Sequence, residues 1–194
     1  MKKIIIAIDS FKGCLTSAEA GKAAEKGIKS INPFCHTSVI PIADGGEGLL
    51  DVLITATKGK YITLSAHGPL MKMAKTHYGL SGNGRTAIIE MAAISGLPLV
   101  PIEQRNPMLT TTFGTGELIK DALNKGCRNF IIGIGGSATN DAGLGMLQAL
   151  GFRFLDKSGH TLGTGGQIME AVANIDTSGI HPALRETHFM VACD

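Results

Sequence analysis

The sequence predicts an α/β fold built on parallel strands, and three observations predict it. Ile4 to Ile8 is a continuous apolar, β-branched run, as expected of a strand buried on both faces of a parallel sheet. The first two strand-like runs each lead through a polar, glycine-rich loop into a segment of helical periodicity. Both loops therefore follow strands, where ligands bind in open α/β sheets.

Each element follows in order. After the first run comes DSFKGCL, and Thr16-Ser17-Ala18-Glu19 then supplies a capping box. Ala20, Ala23, Ala24, Gly27 and Ile28 give the ensuing helix its apolar face. A second strand is expected over Thr37 to Ile42, ending in ADGGEG, and the helix beyond it carries Leu49, Leu50, Leu53 and Ile54 until Gly59 stops it. From Lys60 the pattern changes. Strand-like segments 61–66, 72–80 and 85–90 are joined by GPL and SGNG, with no room for crossover helices, which predicts antiparallel or mixed pairing. A helix over 114–125 stopped by Gly126, an apolar strand from Phe130, a strand over 152–155, a helix near 167–173 and a strand over 189–193 complete the reading. There is no internal repeat and no low-complexity linker.

Composition narrows the partners. The 194 residues are 44% hydrophobic and 18% charged, a globular balance with room for a core. A formal charge of +2 gives no reason to expect nucleic acid or an anionic membrane. Cys14, Cys35, Cys127 and Cys193 are far apart and lack metal-ligand spacing, which suits free thiols in a reducing cytoplasm. The opening MKKIIIAIDS imitates a signal peptide, but its apolar run ends at Asp9 and is too short. The methionines read as core filler. A cytoplasmic protein with a small-molecule ligand is expected, and a homo-oligomer is compatible with the sequence.

Three strand-end loops combine glycine with ionisable residues: Asp9-Ser10-Phe11-Lys12-Gly13, Asp44-Gly45-Gly46-Glu47-Gly48, and the run from Gly135 to Asp141. Glycine lets backbone approach a ligand, and amides at a helix start favour an anion. Phosphoryl transfer needs such a cradle, a cation, carboxylates for Mg²⁺ and an acceptor for the attacking hydroxyl's proton. Plainer roles compete at every position. Asn140 or Asp141 can cap a helix, Asp44 can shape a turn, Lys12 can be solvated, Glu47 can favour a helix start, and Glu90 can pair with a cation. Gly133 to Ala138 also satisfies a dinucleotide fingerprint, with Asp156 as its ribose acid, although the strand runs through Gly133. A nucleophile elbow at Ser137 lacks its final glycine, and no Walker A or HExxH motif occurs.

The chain closely resembles the bacterial type-1 glycerate kinase family from Met1 to its last residue. The resemblance rests on IAIDSFKG, PIADGGEG, TTFGTGELI, IIGIGGSATNDAG, MLQALGFRFLD and the closing VACD. Cys14 stands where a serine-like residue is usual, and Ala142 where glycine is usual. The resemblance implies a two-domain enzyme: a Rossmann/flavodoxin-like parallel-sheet domain, begun by residues 1–58, with an inserted second α/β domain of mixed sheet over 59–194, incomplete at the C-terminus. The family's chains run to about twice this length, so the chain corresponds to their N-terminal half.

The implied activity is ATP- and Mg²⁺-dependent phosphorylation of D-glycerate, 2-phosphoglycerate being favoured over 3-phosphoglycerate, in glyoxylate or glucarate catabolism. On that reading Lys12 neutralises the transferred group, and Asp44 or Asp194 accepts the hydroxyl proton. Asp9, Ser10, Gly45, Gly46, Glu47, Gly135, Gly136, Ser137 and Asn140 contact substrate or phosphate, and Asp141 stands near Mg²⁺. A kinase of another small hydroxy acid and a non-catalytic nucleotide- or sugar-acid-binding fragment are the alternatives.

Overall fold

The computed structural model describes residues 3–11 and 14–193. Their fold is α/β with both parallel and mixed sheets. β1 (Lys3–Ile6) and β2 (His36–Val39) pair in parallel, Ile6 opposite Val39. They are joined through α1 (Ser17–Ile31), whose Thr16 and Glu19 form the expected capping box. The two strands are shorter than the apolar runs suggested, because the chain leaves the ladder to form the loops that follow.

The second sheet has five strands in the order β3 (Lys60–His67), β4 (Met73–Leu80), β5 (Thr86–Glu90), β6 (Asn129–Gly133) and β9 (His188–Ala192). The first three are antiparallel neighbours, as the short turns required, whereas β5, β6 and β9 are parallel. Parallel pairing of β5 with β6 is made by a crossover containing α3 (Ala92–Ser95) and α4 (Phe113–Asn124). The crossover from β6 to β9 holds α5 (Leu144–Ala149) and a small hairpin-like pair, β7 (Arg153–Leu155) with β8 (Asn174–Asp176). The helix expected near 167–173 is a 3₁₀ stretch over Gly166–Ala171.

Side-chain alternation along β5 sends Ala87 and Ile89 to one face and Ile88 to the other. The first face packs with Leu118, Ile119, Ala122 and Leu123 of α4, and with Tyr78, Phe130 and Ile94, to make the main core. Tyr78 is fully buried and its hydroxyl donates to Asp121 at 2.8 Å. On the other face Ile88 meets Leu50 and Ile54 of α2 (Leu49–Thr57). A Cβ on Gly79 would stand 2.6 Å from Leu50 Cδ1, so glycine there lets α2 lie directly on the sheet. Lys58, not Gly59, takes the left-handed conformation that ends α2. The methionines divide: Met146 packs on the core, whereas Met73 and Met190 are exposed. No disulfide joins the four cysteines. Among the described residues no helix is long and apolar enough to cross a membrane.

Candidate active site

The parallel register puts Glu90, Gly133 and Ala192 side by side at the carboxyl ends of β5, β6 and β9. Over this row lies the turn Asp44–Gly48. Gly135 N–H donates to the Gly45 carbonyl at 3.3 Å. Added Cβ atoms would lie 2.5 Å from Gly45 O at Gly133, 2.7 Å from Gly46 Cα at Gly135, and 2.7 Å from Ala192 O at Gly45. Real Cβ atoms do not come so close, so these glycines allow two backbone turns to touch. Gly45 also needs its φ of 90°. The turn is tightened by Asp44 Oδ1, which accepts from Gly46 N–H at 2.9 Å.

The loop after β1 joins the same region through Ser17. Its buried hydroxyl donates to Ile8 O at 2.7 Å and accepts from Ile42 N–H at 2.9 Å, tying the ends of β1 and β2 to the start of α1. Asp9 Oδ1 accepts from Ser10 N–H at 2.7 Å. Ser10, Glu47, Gly48, Asp51, His77 and Glu90 then share the wall of one cavity of about 400 Å³. Phe11, Leu15, Pro41 and Val52 supply its apolar lining. Asp51 is held by the Tyr61 hydroxyl, whose own pKa this bond pushes up to about 12. Burial raises the pKa of Glu90, with Asp51 adding to the rise; the amides of Leu50 and Gly48 and the His77 ring oppose it.

The far end of the β6 loop turns away from this cavity. Ala138 N–H donates to Ser95 O, and the Ser137 hydroxyl is engaged with Thr139 Oγ1 at 2.6 Å and with Thr139 N–H at 3.1 Å. Asn140 is exposed. Asp141 is buried, and its two oxygens accept from Thr112 N–H at 2.8 Å, Gly143 N–H and Gly145 N–H at 3.1 Å, and the hydroxyls of Thr111 and Thr112. These bonds engage its lone pairs and make it a loop-organising carboxylate. Thr111 and Thr112, at the entry to α4, are the other half of this buried network, while the Thr110 hydroxyl donates to Ala138 O at 2.8 Å. Asp156, the ribose acid of the dinucleotide reading, instead closes its own turn by accepting from Ser158 and His160 amides.

Thus the structure unites Gly45, Gly46 and Gly135 at one backbone contact and places Ser10 and Glu47 in one cavity, whereas Gly136 accepts from Leu97 N–H on the other side of the loop. Lys12 and Asp194 lie outside the described residues. Glu90, which by its sequence could have paired with a cation, accepts instead from the backbone amide of Leu50 in α2. Its place at a strand end was the available signal.

Residues 4–194 match the model of the glycerate kinase family. The chain belongs to that family. It is 53% identical over 192 residues to the glycerate kinase of Bacillus subtilis (strain 168), covering 99% of this chain and 50% of that one. A glycerate 2-kinase of Escherichia coli (strain K12) is 49% identical over 192 residues, with 99% and 50% covered. A crystal structure described as glycerate kinase 2 from Salmonella typhimurium LT2 superposes with a TM-score of 0.87 at 48% identity, over 100% of this chain and 52% of that one. The chain therefore spans about half the length of the curated relatives it matches.

Proposed function

We propose that the chain carries the phosphoryl-transfer loops of an ATP-dependent kinase of D-glycerate that forms 2-phosphoglycerate. Family membership supports the reading, and one observation carries it: the Asp44–Gly48 turn closes on the β6 loop at the carboxyl ends of parallel strands. Carboxylates and close-approaching backbone meet there, at the position where α/β sheets bind ligands. The 2-hydroxyl is favoured by the name of the Escherichia coli relative. We further place the boundary between an N-terminal parallel-sheet domain and a mixed-sheet domain at residues 58 and 59, with α2 as the contact between them, and the protein in the cytoplasm.

Phosphoryl transfer is governed by positioning and charge neutralisation. The glycerate hydroxyl oxygen bonds to the γ-phosphorus, the bond to the bridging oxygen of ADP breaks, and the hydroxyl proton passes to Asp44, with Asp194 the alternative acceptor. Lys12 neutralises the transferred group, and Ser10 positions the substrate. Asp9, Asp44 and Glu47 offer the hard oxygen donors that suit Mg²⁺, which neutralises phosphate charge when bound. Among the described residues no three His, Cys, Asp or Glu form a ready-made metal cluster. That fits a cation held by one or two carboxylates and the nucleotide's own phosphates.

The test is D-glycerate-dependent ADP release from Mg·ATP, measured on this chain and on the product of the reading frame that contains it, with the product isomer read by phosphorus NMR. Release with 2-phosphoglycerate is expected from the longer product. A folded longer product that releases no ADP with D-glycerate, yet does so with another hydroxy acid, moves the assignment to that acid.

A further inference from the structure

We propose that Glu90 is a positioning residue of this site, clamping the Asp44–Gly48 turn onto the β6 loop by capping α2 from the neighbouring sheet; the proposal rests on the kinase reading. The need for a clamp is local. Helix α2 begins at Leu49 behind Gly48, which has a φ of 91° and no side chain to accept from the first amides. Those N–H groups have no partner within the helix, and leaving them buried and unpaired is costly. Glu90 Oε1 takes Leu50 N–H at 2.7 Å, and the Gly48 amide lies close enough to favour the charged carboxylate. The acceptor is 40 residues away in sequence, on strand β5 against which α2 packs, so the bond fixes tertiary placement rather than local conformation.

Its register makes the clamp effective. Glu90 stands opposite Gly133, whose successors Gly135 and Gly136 begin the loop that touches Gly45 and Gly46. Both turns are therefore referenced to the last rung of the β5–β6 ladder: one through the strand, the other through the Glu90 carboxyl. Beyond this bond α2 is held by the apolar contact of Leu50, Ile54 and Ile88 and by the Tyr61 hydroxyl on Asp51. The Glu90 bond acts on the first turn of the helix, where the Asp44–Gly48 turn meets its neighbour.

Glu90 also faces the cavity that holds Ser10 and Glu47, so a direct reactive role is the rival. Glu90→Gln and Glu90→Ala separate the two, because glutamine keeps an acceptor oxygen and loses only the charge. On the product of the full reading frame, Glu90→Ala should lower kcat/KM on the order of a hundredfold. The same change should speed hydrogen exchange at the Leu50 amide by about tenfold or more. Glu90→Gln should leave both near wild type. Loss of turnover in Glu90→Gln with wild-type exchange would assign Glu90 to the chemistry and overturn the proposal, as would unchanged exchange in Glu90→Ala. If no hydroxy acid is phosphorylated by the wild type, the kinase reading fails while the exchange data still decide the clamp.

Discussion

Ala142 takes a φ of 51°, a left-handed conformation that costs a residue with a Cβ about 1–2 kcal/mol. It stands where the resembling family has glycine, and the backbone shows why glycine is usual there. It follows the buried Asp141 and precedes Gly143, itself left-handed at 76°, at the entry to α5. Ala142→Gly should therefore stabilise the fold by about 1 kcal/mol, less than the full strain because glycine also loosens the unfolded chain. Urea denaturation of the pair measures it. An unchanged midpoint would show that the loop already absorbs the strain.

Glu90 gives a second expectation at this scale, in which the sign matters. Burial raises its folded pKa above the ordinary 4.5. Such a carboxyl makes its full contribution below the unfolded value and loses it as pH rises through the folded value. The groups facing it are Asp51, which adds to the rise, and His77, which opposes it. Wild-type stability relative to Glu90→Gln should thus fall as pH rises above the ordinary value of 4.5. Parallel pH profiles of the two denaturation midpoints would refute a raised pKa.

At the scale of elements, Asp141 and Glu90 do comparable work. Neither α4 nor α5 has a side-chain cap at its N-cap residue, Thr112 and Gly143 respectively. Asp141 accepts from the N–H of both N-cap residues and from Gly145 N–H in α5, while Thr112 Oγ1 accepts from Met146 N–H at 2.9 Å. One carboxylate thereby fixes two helices and the loop between β6 and α5. Asp141→Ala leaves several buried donors unpaired and should destabilise by about 3 kcal/mol or more. Asp141→Asn should be milder and leave the Mg²⁺ concentration for half-maximal turnover unchanged. A strongly raised Mg²⁺ requirement in that variant, with stability retained, would restore the metal role.

Across the whole molecule, the parallel β1–β2 pair and the five-stranded mixed sheet meet at one set of strand ends, and the glycine turns are the joint. Apolar periodicity, the capping box at Thr16 and short turn signals were enough to predict most strands, α1, α2 and α4, and the antiparallel pairing of β3 to β5, because each is set by residues close in sequence. The short α3, the 3₁₀ stretch at Gly166–Ala171 and β8 were not legible, since packing rather than local pattern stabilises them. The loops of the site could be read as loops, and their glycine and carboxylate content as phosphate-directed. What each residue does there could not. Asp141 and Glu90 are both acids that follow apolar runs in the sequence, yet one is enclosed by threonines and amides and the other caps a helix from the strand it lies on. A side chain's partner is fixed by which backbone groups the fold leaves unpaired beside it, and those groups come from segments up to 40 residues away. The sequence by itself determined the elements, the loops and the family; the tertiary structure alone decided which carboxylates face the cavity and which hold the turns that frame it.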